Sequence, residues 1–322
     1  MSDRYARQSV LPEVGPTGQA RLASATALVV GAGGLGCAVL QYLAAAGVGR
    51  LVIVDHDLVE ESNLHRQPLY RMSDLGAPKV EAARAALLAT NPGVRIEAVR
   101  ERLTAANAAR LVGMAEIAVD AADSFAVTYV LSDACRGTPL VSASVLGLSG
   151  YVGAFCGGAP SYRAVFPELP RTAGSCAETG VLGTAVGVMG TLEAHMALAL
   201  LLKWEPTVLG RLISIDFRTL RTGGFSFARA SEPAGATLRF IAPSEVSERD
   251  IVIDLRSPLE APRSPFGSAL RVGVEALEKG EMRFPTEPRI VLCCRTGVRA
   301  WRAARALERQ GHANLALIAL GE

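Results

Sequence analysis

The sequence lacks the features of nucleic-acid-binding, secreted and zinc-stabilised proteins. Its 33 Lys and Arg are nearly balanced by 31 Asp and Glu, so no basic footprint for nucleic acid or an anionic membrane is visible. No basic segment precedes an apolar run near residue 1, so we expect no secretory signal. None of the six cysteines belongs to a Cys-x-x-Cys pair, which argues against a structural zinc of the usual spacing.

Uninterrupted apolar runs of membrane-spanning length are also scarce. Residues 25–49 carry no charge, but four glycines between Gly31 and Gly36 interrupt them, as a strand-to-helix turn would. Residues 181–202 are apolar, yet Glu193 and His195 lie inside this run. Such a segment is more typical of a core or dimer-interface helix than of a membrane span. We therefore expect a soluble, cytoplasmic protein without a membrane partner.

A nucleotide-binding pattern occupies residues 27–57. An apolar run to Val30 is followed by the glycine turn, a helical pattern to Ala46, a second apolar run to Val54, and an acid. Strand, glycine turn, helix, strand and acid form the mononucleotide-binding βαβ unit, in which backbone N–H groups bind phosphate and the acid binds ribose. The pattern predicts a nucleotide site without naming the nucleotide, and its candidate residues are Gly31, Gly33, Gly34, Gly36 and Asp55.

Strand and helix patterns alternate from residue 27 to residue 143. This order predicts an α/β fold, a Rossmann-like, doubly wound and mostly parallel sheet, and residues 147–166 suit an antiparallel extension. The candidate strands end near Asp55, Asp57 and Asp123, so these acids could face one crevice. Small and polar residues at 229–238 predict a linker between a domain at 1–228 and a small α/β domain at 239–322. Within the second domain, residues 262–286 are expected to be irregular.

Residues 4–220 resemble the adenylating family that includes ThiF, MoeB, HesA and the ubiquitin-activating enzymes. The motifs that carry the resemblance are, in chain order, RYARQ (4–8), GAGGLG (31–36), VDHDLVEESNLHRQ (54–67), APKVEAAR (77–84), DAADS (120–124) and SCAETGVLG (175–183). The resemblance implies an enzyme that binds ATP and Mg²⁺ and adenylates the C-terminal Gly-Gly carboxylate of a ubiquitin-like sulfur carrier. Because the carboxylate and the polyphosphate repel each other, cations must neutralise the developing charge.

The resemblance also implies roles for charged and polar residues of these motifs. Arg66 and Lys79 would contact the phosphates, while Asn63 and Gln67 would orient nearby groups. Arg7 would act as an arginine finger from the second subunit of a homodimer. For each cation taken alone, a solvated surface charge is the alternative.

Three acids and one cysteine complete the predicted site. Asp55 would bind the ribose, with Asp57 in the same crevice, and Asp123 would hold Mg²⁺, a hard cation that prefers oxygen ligands. Cys176 occupies the position of a cysteine that, in some relatives, forms a thioester or disulfide with the carrier; a partly buried thiol is the alternative.

The chain departs from the family at the zinc positions. Bacterial members of the sulfur-carrier type usually hold zinc through two Cys-x-x-Cys pairs, which would fall at Ser161 and Ala164 and within residues 225–235. Neither pair is present. We therefore predict no zinc, and the molybdopterin and thiamin branches are not assigned.

The second domain resembles a single rhodanese (sulfurtransferase) module. The resemblance is carried by IVIDLRSP (251–258) and by Cys294-Arg295-Thr296-Gly297-Val298-Arg299, which opens a helix. A cysteine between a strand and a helix N-terminus faces backbone N–H groups that favour a persulfide anion, and Arg295 and Arg299 would add positive charge. We expect Cys294 to be the nucleophile and Cys293 to belong to the core.

Together the two halves predict carrier adenylation followed by attack of a Cys294 persulfide, which a cysteine desulfurase or thiosulfate would load, to give a carrier thiocarboxylate. Three alternatives stay open at this point: an NAD-dependent oxidoreductase, a non-catalytic relative, and adenylation without active sulfur transfer. The pathway, whether cofactor synthesis, tRNA thiolation or a natural product, is also open. An NAD enzyme would explain the glycines and Asp55, but not Arg7, Arg66, Lys79, Asp123 or the second domain.

Overall fold

The computed structural model describes residues 3–169, 180–234 and 237–321. Its strands, β1 to β13 in chain order, are Thr26–Val30, Arg50–Val54, Arg95–Val99, Ile117–Asp120, Pro139–Leu146, Ser149–Cys156, Arg211–Asp216, Arg221–Ser226, Arg239–Phe240, Ile251–Asp254, Leu270–Arg271, Ile290–Cys294 and Leu315–Ala319. Its α-helices, α1 to α10, are Ala6–Ser9, Gly15–Ser24, Gly34–Ala46, Lys79–Thr90, Ala105–Val112, Phe125–Ala134, Tyr162–Val165, Gly183–Leu202, Val274–Glu278 and Val298–Arg309. Single 3₁₀ turns occur at Asp3–Tyr5, Glu61–Asn63, Met72–Asp74 and Pro243–Glu245.

The strands form two sheets. The first has the order β3-β2-β1-β4-β5-β6-β7-β8, parallel from β3 to β5 and antiparallel from β5 to β8. The fully buried apolar residues of β1 explain its central place, since a parallel strand is covered on both faces. The second sheet has the order β11-β10-β12-β13-β9 and is parallel throughout. The predicted α/β fold with a doubly wound sheet and an antiparallel extension is confirmed.

Two predicted stretches differ in the structure. Residues 147–166 hold one strand followed by α7 rather than strands alone. The stretch 262–286 is not wholly irregular, because it contains β11 and α9. Cys294 is the last residue of β12.

Helix α8 is the one described helix that is long and apolar enough to cross a membrane. It packs against α3 and against β5 and β6, and its Met189, Ala194 and Ala197 are buried in the first hydrophobic cluster. In this structure α8 is therefore a core helix of the first sheet.

The second sheet is docked on the α5–α6 face of the first. One hydrophobic cluster contains Tyr129 of α6, Phe240 of β9 and Trp301 of α10. The Tyr129 and Trp301 rings lie 5.3 Å apart, and the Phe240 and Trp301 rings stack at 6.4 Å. At the edge of this contact, Glu168 accepts hydrogen bonds from Trp301 Nε1 and Arg305 Nε. The two sheets thus share a core.

A hydrogen-bonded tie joins the two segments where a family zinc would sit. The backbone N–H and hydroxyl of Ser161 donate to the Glu232 carboxylate at 2.7 and 2.6 Å. Nearby, Arg163 pairs with Asp133 through two hydrogen bonds and lies over the Tyr129 ring. Side-chain contacts therefore hold the start of the linker segment against α7.

Candidate active site

A cavity of about 390 Å³ opens at the carboxyl ends of the central parallel strands. This is where doubly wound sheets bind ligands. The cavity brings together most of the polar residues predicted from sequence: Gly31, Gly33, Gly34, Asp55, Asp57, Asn63, Arg66, Gln67, Lys79 and Asp123.

The glycine turn requires glycine at two positions for steric reasons. Gly31 has φ +97°, and a Cβ there would lie 2.6 Å from the Ala121 carbonyl oxygen. A Cβ on Gly36 would lie 2.0 Å from the Gly31 carbonyl oxygen. Gly36 does not line the cavity; it allows α3 to start close behind the turn. The N-terminus of α3, at Gly34, therefore points its free N–H groups toward the crevice.

Asp55 braces the turn from the end of β2. One carboxylate oxygen accepts the Ala32 N–H at 2.7 Å, and the other accepts the Asp57 N–H at 2.8 Å. Because each oxygen can accept more than one hydrogen bond, the carboxylate can still receive a ribose hydroxyl.

The two cations predicted for the crevice have polar partners. Lys79, nearly buried at the start of α4, donates to Asp57 at 2.8 Å. Partial burial raises the pKa of Asp57, but the hydrogen bond and charge of Lys79 outweigh burial, so the pKa is lowered. Arg66 donates to Asn63 Oδ1 at 2.7 Å. Both cations are thereby held at the cavity before any ligand arrives.

Gln67 leaves an acceptor without a protein partner. The side chain is 2% exposed, and its Oε1 lies buried without a hydrogen bond. The assignment of Oε1 and Nε2 is interchangeable, so a bound group at the cavity can meet either an acceptor or a donor.

The two acids of the DAADS motif, Asp120 and Asp123, lie in different surroundings. Asp120 is buried, accepts from Ser142 Oγ at 2.9 Å, and has its pKa raised by burial to about 6. Asp123 is exposed at the cavity. Its carboxylate fits an oxygen-seeking Mg²⁺.

A second group of possible metal ligands, Asp55, His56 and Asp57, has ligand atoms within 4.8 Å of one another. However, Asp57 is already neutralised by Lys79. That pairing makes the group less suited to a cation than Asp123.

One predicted residue lies apart from this cavity, and another is not among the described residues. Arg7 is exposed on α1 and does not line it, so its role from a second subunit stays a prediction. Cys176 lies outside the described residues.

In the second unit, backbone N–H groups donate hydrogen bonds to the thiol of Cys294. Cys294 Sγ is buried and accepts the N–H of Gly297 at 3.1 Å and of Ala300 at 3.4 Å. Cys293 instead points its thiol toward the Ile253 carbonyl, and burial raises its pKa to about 12. These contacts favour Cys294 over Cys293 as the nucleophile.

Arg299, predicted to add positive charge at the cysteine, does interact electrostatically with Cys294, but its hydrogen bonds go to other groups. Its guanidinium pairs with Glu260 and donates to the Leu255 carbonyl. Arg299 thus ties α10 to the end of β10. Arg295 is exposed beside the loop.

Sequence reasoning missed the wall that the second sheet adds to the cavity. Phe240, Ile241, Pro243 and Ala319 line it together with residues 101–105. No motif marks these residues, because their position follows from docking of one sheet on the other.

This chain is similar in sequence and in structure to several known proteins. The sequence matches the ThiF family over residues 5–236. It is 46% identical over 224 residues to a sulfur carrier protein adenylyltransferase of Thermus thermophilus, covering 66% of this chain and 83% of that protein. It is 33% identical over 349 aligned positions to the adenylyltransferase/sulfurtransferase MoeZ of Mycobacterium tuberculosis, covering 96% of this chain and 88% of that one. Among solved structures, E. coli MccB with ATP has a TM-score of 0.62 at 22% identity, covering 71% of this chain and 72% of that chain.

Proposed function

The chain belongs to the ThiF family, and from this premise we propose that it adenylates the C-terminal Gly-Gly carboxylate of a ubiquitin-like sulfur carrier and then transfers sulfur to it. The observation that carries the proposal is the gathering of the glycine turn, Arg66, Lys79 and Asp123 at one cavity. The named activities of the relatives from T. thermophilus and M. tuberculosis support it.

In the first step the carrier carboxylate attacks the α-phosphorus of ATP and pyrophosphate leaves. The glycine turn and the α3 N-terminus bind phosphate oxygens. Lys79 and Arg66 neutralise charge that grows on the polyphosphate, and Asp123 would hold a Mg²⁺ ion, which would supply further positive charge. The attacking group is already an anion, so this step needs no general base.

In the second step the terminal sulfur of a Cys294 persulfide attacks the carrier acyl carbon. A C–S bond forms, the C–O bond to AMP breaks, and AMP leaves with the electron pair. A second thiol, from Cys176 or another molecule, then attacks the Cys294 sulfur. The carrier thiocarboxylate leaves, and a dithiol reductant reopens the resulting disulfide. The N–H groups of Gly297 and Ala300 would stabilise the sulfur anion in both steps.

Two further features belong to the proposal. A cysteine desulfurase or thiosulfate supplies the persulfide sulfur, and Arg7 completes the site from a second copy of the chain. The exposed position of Arg7 away from its own cavity supports the second feature.

The decisive experiment is ATP–pyrophosphate exchange with purified carrier proteins that end in Gly-Gly. We expect carrier-dependent exchange that falls at least about 100-fold in Arg66→Ala. The matched control Arg263→Ala, at an exposed arginine of the second sheet's unit, should exchange at the wild-type rate. ATP binding without exchange for any carrier would contradict the proposal.

A further inference from the structure

The nucleotide cavity has one apolar wall that the first sheet does not supply. Phe240, Ile241 and Ala319 belong to the second sheet or follow its strands, and all line the cavity. They face it beside Leu103 and Ala105, which follow β3 and begin α5.

The position of this wall along the sheet identifies the part of the nucleotide that it meets. Phosphates belong at the glycine turn after β1, and ribose belongs at Asp55 after β2. Since the strand order is β3-β2-β1, the base lies toward the end of β3. The second sheet reaches the same edge, where Gly321 lies beside the guanidinium of Arg102, a residue that also lines the cavity.

The chemistry of the wall agrees with that position. Aliphatic and aromatic carbons cannot compensate the charge of a phosphate. A purine base is flat and largely apolar, and it binds well against an aromatic side chain.

The wall is held in place by contacts away from the cavity. Trp301 stacks on Phe240 and contacts Tyr129, but does not line the cavity. Loosening Trp301 therefore moves the wall without touching the nucleotide site.

We propose that the docked second sheet completes the base end of the nucleotide site, so that ATP binding and docking of the sulfurtransferase unit stabilise each other. The proposal rests on the nucleotide binding in the proposed function, not on the carrier or on sulfur transfer. By linkage, a ligand that contacts both units favours their docked state, and undocking lowers the affinity for that ligand by the same factor.

The same wall lies next to the cysteine loop. A Cβ on Gly297 would lie 2.6 Å from Phe240 Cε1, and Gly297 donates to Cys294 Sγ. Phe240 therefore contacts both the nucleotide cavity and the loop that holds the sulfur.

The test compares binding of ATP with binding of inorganic tripolyphosphate by calorimetry on the full chain, without carrier. Phe240→Ala and Trp301→Ala should each lower the affinity for ATP roughly tenfold or more. The affinity for tripolyphosphate should be unchanged, because the residues proposed to bind phosphate all belong to the first unit. Leu259→Ala removes a 97% exposed leucine from the same unit and should bind both ligands like the wild type.

Hydrogen exchange provides an independent readout if a variant folds poorly. In the wild type, ATP should slow exchange at residues 239–243 and in α10, and tripolyphosphate should not. Wild-type ATP affinity in both variants, equal losses of ATP and tripolyphosphate affinity in folded variants, or no ATP-specific protection would overturn the proposal. If ATP binds in this wall-dependent way but no carrier supports exchange, the proposed function fails and this inference stands.

Discussion

The two units of this chain handle charge in different ways. Around the first sheet, Lys79, Arg66 and Asp123 line an open cavity, where Lys79 is paired with Asp57. In the second unit, acids are matched by arginines: Asp250 with Arg289, Asp254 with Arg256, Glu260 with Arg299 and Glu278 with Arg302. The hydrogen bonds to the Cys294 thiol come from backbone N–H groups. Charged side chains thus join the glycine turn at the first centre, whereas backbone N–H groups hold the sulfur at the second, so different substitutions should damage each.

Substitutions of the adjacent cysteines Cys293 and Cys294 should separate the activities of the two units most clearly. Cys294→Ala should abolish thiocarboxylate formation from a persulfide donor, because no other described thiol has this N–H cradle. Carrier-dependent pyrophosphate exchange should stay at the wild-type rate. Cys293→Ala is the matched control and should keep both activities. Thiocarboxylate formation by Cys294→Ala is measured by mass spectrometry of the carrier. A full rate would contradict the assignment of Cys294 as the nucleophile.

At the first centre, removing one cation should cost less than a complete loss. Lys79→Ala should slow pyrophosphate exchange on the order of 10²–10³-fold, since one donor to the developing charge is lost. Sulfur loading of Cys294, followed with a persulfide-reactive probe, should be unaffected. The exposed Lys279 pairs with Glu281 in the second unit, so Lys279→Ala provides the control; a similar loss there would argue against a specific role for Lys79.

The backbone construction of the second centre can be tested with two glycines. Gly297 and Gly311 both have positive φ, but a Cβ meets Phe240 only at Gly297, and nothing lies within 4 Å at Gly311. Gly311→Ala should lower the free energy of unfolding by about 1–2 kcal/mol through the left-handed backbone alone. Gly297→Ala should lower it by about 2–4 kcal/mol, because the new methyl group also overpacks the interface.

Denaturant unfolding of both variants, with thiocarboxylate formation measured in parallel, checks this difference. We expect only Gly297→Ala to lose sulfur transfer. Equal destabilisation and equal activity in the two variants would show that Phe240 does not press on the loop.

How far the sequence predicts this molecule depends on whether a feature is local. The glycine turn and Asp55 follow from a contiguous motif, and the structure brings them together as expected. The Lys79–Asp57 pair joins residues 22 positions apart and needs the tertiary fold. Strand β8 was not predicted, because all six of its residues are exposed and no apolar run marks it. The wall at Phe240 could not be predicted either, since it arises from docking between two sheets.

The smallest expected effect contrasts buried acids of the two units. Glu193 on α8 is buried, and neither of its oxygens has a well-formed hydrogen bond in the described structure. Burial raises its pKa well above the ordinary value, and the backbone of Ala143 opposes this only weakly. Asp254 is equally buried, which raises its pKa, but hydrogen bonds from Arg256 outweigh burial and the pKa is lowered. The two acids should therefore shift stability in opposite directions with pH.

The sign follows from linkage. The native state holds the Glu193 proton more tightly than the unfolded state, so stability falls as pH rises above the unfolded pKa of 4.5. Glu193→Gln stays neutral and should be more stable than the wild type at pH 8, with little difference at pH 4. Asp254→Asn should be less stable than the wild type at pH 8, because it removes the carboxylate that pairs with Arg256. Denaturant unfolding at both pH values decides the matter: a Glu193→Gln variant destabilised at pH 8 would mean that the carboxylate has a native partner, and the contrast between the two units would no longer hold.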